Sequence, residues 1–104
     1  MDNLIIFITA SSRGEAGEIA TNLVGKRLVA CVNIVPGIES IFTWKGKLEV
    51  AKETLLIAKT KAALFPRVEK MVKKVHSYEC PEIIAFPITR GNKEYLKWLR
   101  ETTR

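Results

Sequence analysis

The spacing of hydrophobic and polar positions divides the chain into apolar runs and amphipathic segments. Residues 4–10 are almost continuously apolar, as expected of a strand covered on at least one face. Ser12 and Glu15 then form a predicted capping box, in which the Ser12 hydroxyl accepts from the amide of Glu15 and the Glu15 carboxylate accepts from the amide of Ser12. A helix is predicted to begin here and to fade near residues 25–27. Its apolar stripe consists of Ala16, Ile19, Ala20 and Leu23.

The next segment has the pattern of a long hairpin. Residues 28–44 are β-rich and are interrupted by Pro36 and Gly37, which indicate a bulge or bend. The pair Lys45-Gly46 is a compact turn candidate, and residues 48–59 return as the next strand.

A second helix, a fourth strand and a last helix follow. The second helix is predicted to open at Lys61, with Pro66 tolerable only in its first turn. Residues 82–88 are predicted to form the fourth strand, and Asn92 is the predicted N-cap of the last helix, which carries Leu96 and Leu99. The residues expected to face inward from the second helix are Leu64, Phe65, Val68, Met71, Val72 and Val75.

The order β-α-β-β-α-β with a C-terminal helix predicts an α+β, ferredoxin-like sandwich with helices on one face of an antiparallel sheet. Residues 30–44 as one strand would span about 50 Å, whereas a compact domain of this length is only about 33 Å across. The central hairpin is therefore expected to overhang its own subunit, exposing apolar residues that a partner subunit should cover. The residues concerned are Ile38, Ile41, Phe42 and Trp44.

Composition predicts the class of protein and the compartment in which it is found. The 104 residues are 47% hydrophobic and 27% charged, which favours one soluble folded domain spanning residues 1–104. No run approaches the roughly 20 apolar residues of a membrane span, so we expect a cytoplasmic protein without a membrane partner. Two cysteines in a reducing compartment predict free thiols.

The net charge of +6 raises the question of nucleic-acid binding. The lysines and arginines are scattered in pairs along the chain, which is typical of solvated faces, and the stacking aromatics of an RNA-recognition sheet are missing. We therefore expect no nucleic-acid partner.

The segment 76–85 holds the chemistry that a metal could use. His76, Glu79 and Cys80 lie within five residues and supply imidazole, carboxylate and thiolate, which copper and zinc accept. They predict a weak site for copper or zinc, and no required cofactor, because no four-ligand pattern is present. The competing interpretation is structural, with His76 ending the second helix and Cys80 filling space in the core.

Catalysis is poorly supported by the residues. A serine or cysteine nucleophile usually needs a base, and His76 is the single imidazole in the chain, with no orienting third group in the sequence pattern. We therefore expect a protein that is not an enzyme.

Three segments carry a family resemblance. They are residues 30–49 (ACVNIVPGIESIFTWKGKLE), residues 76–85 (HSYECPEIIA) and residues 95–99 (YLKWL). Together they resemble the CutA family, the divalent-cation tolerance proteins, which are small cytoplasmic trimers linked to copper and other metal ions. The resemblance implies a homotrimer that responds to metal ions. It also implies a cleft near subunit boundaries, lined by several of the positions that match the family, which are Asn33, Ser40, Trp44, Glu49, Lys59 and Tyr78. With the polar loop after the second helix, the predicted ligand cleft comprises Asn33, Glu49, Lys59, Tyr78 and Glu82.

The chain departs from the family pattern at the proposed metal ligands. Ser77 stands where members typically have proline, and Val75 and Ile8 stand where some relatives have a histidine and a cysteine proposed as copper ligands. An alternative function is that of a PII-like signalling trimer, which would bind a small anionic ligand or a partner protein at its intersubunit clefts.

Overall fold

The computed structural model describes residues 2–104, which form four strands and three helices. The strands are β1 (Asn3–Ala10), β2 (Cys31–Trp44), β3 (Lys47–Lys61) and β4 (Ile83–Pro87). The helices are α1 (Arg13–Gly25), α2 (Phe65–Val75) and α3 (Lys93–Thr102), with a short 3-10 turn at Ala62–Leu64 before α2. The element order agrees with the predicted α+β, ferredoxin-like arrangement.

The strands form one antiparallel sheet in the order β2-β3-β1-β4. One face of the sheet is covered by α1 and α2. The core between this face and the two helices consists of apolar side chains, among them Ile6, Leu23 and Val72. Burial of these side chains is the main stabilising contribution to the fold. The other face is also apolar but is only partly covered. Its exposed members include Val35, Ile84 and Phe86.

The long hairpin protrudes from this body, as the sequence predicted. The molecule measures 45 × 25 × 23 Å, so its long axis is nearly twice its width. Ile41, Leu48 and Val50 near the hairpin tip are 66%, 75% and 60% exposed. A β-bulge lies between Val35 and Ile38, where Gly37 has a φ of +74°. The tip is a two-residue turn with positive φ at Lys45 and Gly46, the conformation that suits strand twist.

The helix caps agree with those predicted from the sequence, except for one hydrogen bond of Glu15. The Ser12 hydroxyl accepts the amide of Glu15 at 3.1 Å, as predicted. The Glu15 carboxylate, however, accepts from the amide of Ser11 at 2.9 Å and not from that of Ser12. The Asn92 side chain accepts the amide of Tyr95 at 3.0 Å and so caps α3 as expected.

The second helix differs from its prediction at both ends. The 3-10 turn after Lys61 delays the α-helix to Phe65, which leaves Pro66 in its first turn. Val75 was predicted to face the core and is 42% exposed; it is the last residue of the helix, so no further turn covers it. Within residues 2–104, none of the helices is long and apolar enough to cross a membrane.

The C-terminal helix is tied to the loop before β2. The Arg27 guanidinium donates to the carbonyls of Thr102 and Glu101, at 3.0 and 3.3 Å. These carbonyls lie at a helix end, where they lack partners in the helix. Leu99 is completely buried, while Leu96 is only half-buried.

Candidate functional site

A groove of about 800 Å³ opens between the hairpin and the loop that joins α2 to β4. The hairpin wall is mostly apolar and aromatic, whereas the loop wall is polar and acidic. Phe42 and Trp44 are alternate residues of β2, so their side chains lie on the same face of the hairpin. The groove is lined from the hairpin by Ile41, Phe42, Trp44 and Glu53, and from the loop by Tyr78, Glu79, Cys80 and Glu82.

Tyr78 and Glu53 connect the two walls. The Tyr78 hydroxyl donates to Glu53 Oε2 at 2.6 Å. Burial of the phenol, together with this hydrogen bond and the neighbouring negative charge of Glu53, raises the pKa of Tyr78, so the group remains a protonated donor. Glu53 is itself only 8% exposed. The bond therefore fixes the loop against the hairpin at the base of the groove.

Glu82 contributes a second carboxylate to the same groove. Partial desolvation, followed by the charge of Glu53, raises the pKa of Glu82. The two acids therefore repel each other weakly across the groove. Among residues 2–104, no lysine, arginine or histidine nitrogen lies within 4.0 Å of either carboxylate.

His76 supports the loop from beneath. Its side chain has no exposed surface, its Nε2 lies 2.7 Å from the carbonyl oxygen of Thr9, and its Nδ1 lies 3.0 Å from the amide nitrogen of Tyr78. A carbonyl can only accept and an amide N–H can only donate, so the proton is on Nε2 and the Nδ1 lone pair accepts. Both ring nitrogens are thus used to hold the loop to β1.

Glu15 completes this support. Its Oε1 accepts from the amide and hydroxyl of Ser11, at 2.9 and 2.7 Å, and its Oε2 accepts from the amide of Ser77 at 2.8 Å. Partial burial alone would raise the pKa of Glu15, but the hydrogen bonds from Ser11 and Ser77 outweigh it and lower that pKa to about 2. One carboxylate therefore joins the start of α1 to the loop after α2.

The predicted metal ligands do not assemble into one coordinating group. His76 is buried with both nitrogens hydrogen-bonded, whereas Glu79 and Cys80 are exposed. Throughout the part of the chain that the structure describes, no group of three or more histidine, cysteine, aspartate or glutamate side chains could hold a metal ion. His76 directly follows α2, as the structural alternative proposed, but Cys80 is exposed and does not fill space in the core.

The predicted ligand-cleft residues fall in three places within one chain. Tyr78 and Glu82 line the groove. Lys59 lies on β3, six residues after Glu53. Its ammonium group donates to Asn33 Oδ1 and lies 4.0 Å from Cys31 Sγ. Glu49 is exposed near the hairpin tip. The single chain therefore does not bring Tyr78 and Glu82 together with Asn33, Lys59 and Glu49.

Sequence reasoning missed Glu53, Glu15 and Thr9, which position the site. Glu53 had no clear signal, because it follows Lys52 and precedes Thr54 and lies on the half-buried register of β3, with Leu55 and Ile57, and not on the core register of Leu56 and Ala58. Glu15 was predicted from the sequence as a helix-capping residue. Its contact with Ser77 was not predicted, because the two residues are 62 positions apart in the chain. The Thr9 contribution is a backbone carbonyl and had no sequence signal.

Comparison with known protein families matches residues 4–102 to the model described as CutA1 divalent ion tolerance protein. This match covers nearly the whole chain. The chain is a member of the CutA1 family.

Individual relatives agree with this assignment. The divalent-cation tolerance protein CutA of Thermus thermophilus is 50% identical over 95% of this chain and 96% of its own length. Its solved structure has a TM-score of 0.96 and covers 98% of this chain and 99% of that chain. The CutA of Archaeoglobus fulgidus is 52% identical over 93% of this chain and 94% of its own length. Both the sequence and the fold therefore place this chain among CutA proteins.

The location of CutA proteins varies. A solved Archaeoglobus fulgidus structure, with a TM-score of 0.94 and 50% identity over 96% of this chain and 97% of that chain, is described as a periplasmic divalent cation tolerance protein. An Arabidopsis thaliana relative is named chloroplastic and is 42% identical over 98% of this chain and 56% of its own length. Family membership alone does not assign a compartment.

Proposed function

We propose that this CutA-family chain acts as a non-enzymatic homotrimer in divalent-cation tolerance, in the cytoplasm. The observation that carries the proposal is the combination of the family match with the partly uncovered apolar sheet face and the protruding hairpin. Within the described residues, the edge strands β2 and β4 also have no hydrogen-bonded strand on their outer sides. Exposed apolar surface and free sheet edges of this kind favour assembly between copies.

The assembly is tested by measuring mass in solution. The chain has a mass of 11.7 kDa, so a trimer should scatter light as a particle of about 35 kDa. The measurement should be made across micromolar concentrations during size-exclusion chromatography. A mass near 12 kDa over that range would contradict the proposal.

The arrangement of His76 favours a binding function over catalysis. The imidazole is engaged by two backbone groups, the Thr9 carbonyl and the Tyr78 amide, so it has no lone pair available to activate a serine or cysteine nucleophile. This geometry is consistent with the relatives' names, which describe tolerance to divalent cations and no reaction.

We also propose weak metal binding, with a ligand order that differs from the sequence expectation. Cys80 and Glu79 are exposed on the loop, whereas His76 would have to break two hydrogen bonds to coordinate. A site with two exposed protein ligands and solvent at the remaining positions should bind copper or zinc with a Kd in the micromolar range or weaker. A closed tetrahedral site would bind much more tightly.

Calorimetric titration with Zn(II) distinguishes the two ligand orders. Cys80→Ser should abolish saturable binding, and His76→Gln should leave it unchanged. The reverse result, with loss in His76→Gln alone, would mean that the loop opens to release His76 and would restore the original prediction. Equal binding by all three proteins would exclude this loop as the metal site.

No observation favours the PII-like alternative in which a small anion occupies the groove. The groove is lined by Glu53, Glu79 and Glu82, whose charges would repel an anion.

A further inference from the structure

We propose that Glu53 forms one half of an ion pair between subunits, and that Lys59 of a neighbouring copy of this chain supplies the cation. This inference rests on the proposed trimer and deepens it, because it names the side chain that one copy contributes to the groove of the next. The groove between the hairpin and the 77–82 loop is then completed only by assembly.

The first observation is a buried carboxylate without a cation. Glu53 is 8% exposed, and among residues 2–104 no lysine, arginine or histidine nitrogen lies within 4.0 Å of its carboxylate. Its hydrogen-bond partner is the neutral hydroxyl of Tyr78, which donates to Oε2. A buried carboxylate is normally paired with a cation, because an unpaired charge is costly to remove from water. Glu53 therefore lacks, within its own chain, the partner that its burial requires.

The second observation is a partly buried cation without an anion. Lys59 and Lys61 are half-buried, whereas the other lysines and arginines are exposed to solvent. The Lys61 ammonium lies against α3, 3.4 Å from the Thr103 carbonyl. The Lys59 ammonium donates to Asn33 Oδ1 and lies 4.0 Å from Cys31 Sγ, and no carboxylate of the described chain is within 4.0 Å of it. Lys59 is therefore the cation that most resembles Glu53 in its lack of a charged partner.

These two charges share a face of the sheet but cannot meet within one chain. Positions 53, 55, 57 and 59 alternate along β3, so Glu53 and Lys59 lie on the face opposite the helices. Six residues of extended strand separate them by about 20 Å. An ion pair needs its nitrogen and oxygen within about 4 Å, so each charge can be neutralised only from outside its own chain.

Cyclic symmetry supplies such a partner. In a cyclic trimer, each interface joins a patch of one copy to a different patch of the next, and the contact is repeated three times. The Glu53 patch of one copy can therefore meet the Lys59 patch of its neighbour, with every copy using both. The strand between the two patches carries the half-buried Leu55 and Ile57, so the pair would lie in an apolar interface, where charge-assisted hydrogen bonds are strong.

Glu82 gives independent support for a cation in the assembled groove. It lines the same groove as Glu53, and desolvation, followed by the charge of Glu53, raises the pKa of Glu82. A lysine from the neighbouring copy would offset this repulsion between the two acids. The apolar hairpin wall would be covered by the same contact, which is consistent with one occupant for the whole groove.

The test exchanges the two charges and measures mass by light scattering during size-exclusion chromatography of the full chain. We expect Glu53→Lys and Lys59→Glu each to convert the species of about 35 kDa into particles of about 12 kDa, because each variant places like charges together at every interface. The double variant, Glu53→Lys with Lys59→Glu, restores opposite charges and should recover the trimer.

Controls separate this effect from a general response to charge. Glu18→Lys and Lys70→Glu make the same charge changes on the exposed helical layer and should remain trimers. Circular dichroism checks that each variant is folded. If a charge reversal prevents folding, Glu53→Gln, Lys59→Met and their combination are used, and the dissociation constant of the trimer is measured. The combined loss of affinity should then be at least ten-fold smaller than the product of the single losses.

Failure of the ion pair and failure of the trimer give different results. A wild-type mass near 12 kDa overturns the trimer and this inference with it. A wild-type trimer that neither charge reversal dissociates, or a folded double variant that stays monomeric, overturns the ion pair and leaves the trimer in place. Independent losses in the neutral variants would have the same meaning.

Discussion

At the scale of single residues, the loop that lines the groove is held by a small set of hydrogen bonds from distant parts of the chain. Glu15 and His76 together connect α1 and β1 to residues 77 and 78, and Tyr78 extends the connection to Glu53. The wall of the groove is thus positioned by side chains that are buried or half-buried beneath it. This explains how a loop without regular secondary structure can present a defined surface.

The lowered pKa of Glu15 predicts a specific loss of stability in acid. The pKa is about 2 in the folded chain and 4.5 in the reference state, so the carboxylate stabilises the fold above pH 4.5. That contribution, of about 2 to 3 kcal/mol, is lost as the pH falls from 4.5 through 2. Urea unfolding of wild type and Glu15→Gln should differ by this amount at pH 7, and the difference should shrink toward zero near pH 2.

The control for this prediction is Glu18→Gln, an exposed acid one turn along the same helix. It should change the free energy of unfolding by less than about 0.5 kcal/mol at either pH. A difference between wild type and Glu15→Gln that stayed constant from pH 7 to pH 2 would contradict the ionic explanation.

At the scale of elements, the hairpin depends on two places where the backbone leaves ordinary strand geometry, the bulge at Pro36-Gly37 and the turn at Lys45-Gly46. The bulge bends β2, and the tight turn keeps the two strands in register out to Trp44 and Lys47. The Trp44 wall of the groove lies at this end of the hairpin, so its position depends on that turn.

Gly46→Ala should destabilise the protein by about 1 kcal/mol. Gly46 has a φ of +79°, and an added Cβ would meet no atom within 4 Å, so the cost comes from the backbone conformation alone. Gly25→Ala is the matched control, since its Cβ also meets no atom but its φ is not positive. That substitution should be neutral or stabilising in thermal unfolding, by up to about 1 kcal/mol. Equal destabilisation by both would contradict the argument.

Local pattern predicted the elements well but predicted the site only in part. The strands, the bulge, the turn and the caps at Ser12 and Asn92 follow from short-range chemistry, and the structure contains all of them. His76 was predicted as a metal ligand because it is the only imidazole, but its partners are the Thr9 carbonyl, 67 residues away, and the adjacent loop amide of Tyr78. No sequence spacing reports a contact with a distant backbone carbonyl. Val75 was also misplaced: it has the helical spacing of the buried Val68 and Val72, but the helix ends at this residue and its side chain is 42% exposed.

At the scale of the whole molecule, the fold has one complete apolar core and a second apolar surface that the chain leaves partly exposed. The first is sealed between the sheet and α1 and α2. The second lies on the opposite face, where Phe7 and Phe86 meet edge to face at 5.3 Å and Phe86 is 43% exposed. We therefore predict that stability does not depend on a bound metal, because the core that holds the sheet to the helices is apolar.

Chelation should accordingly leave thermal stability unchanged. Addition of EDTA to the purified protein is expected to shift the melting temperature by less than about 1 °C, because burial of the apolar core should supply the folding free energy without metal coordination. Differential scanning calorimetry before and after exhaustive chelation makes the comparison. A drop of several degrees, reversed by added Zn(II) or Cu(II), would reveal a structural metal that bridges copies of the chain.

The uncovered sheet face gives the sharpest test of assembly. Phe86→Glu places a charge on β4, where the side chain is already 43% exposed in the single chain, so the fold of that chain should tolerate it. If this face is the contact between subunits, the same charge would be buried without a partner, at a cost of several kcal/mol per site. We expect Phe86→Glu to convert the 35 kDa species largely into 12 kDa monomers while circular dichroism retains the signal of the folded chain.

Val24→Glu on α1 is the matched control, because Val24 is 41% exposed on the opposite, helical layer, and this variant should remain a trimer. Dissociation by Val24→Glu with no effect of Phe86→Glu would move the interface to the helices and contradict the assignment of the apolar sheet face.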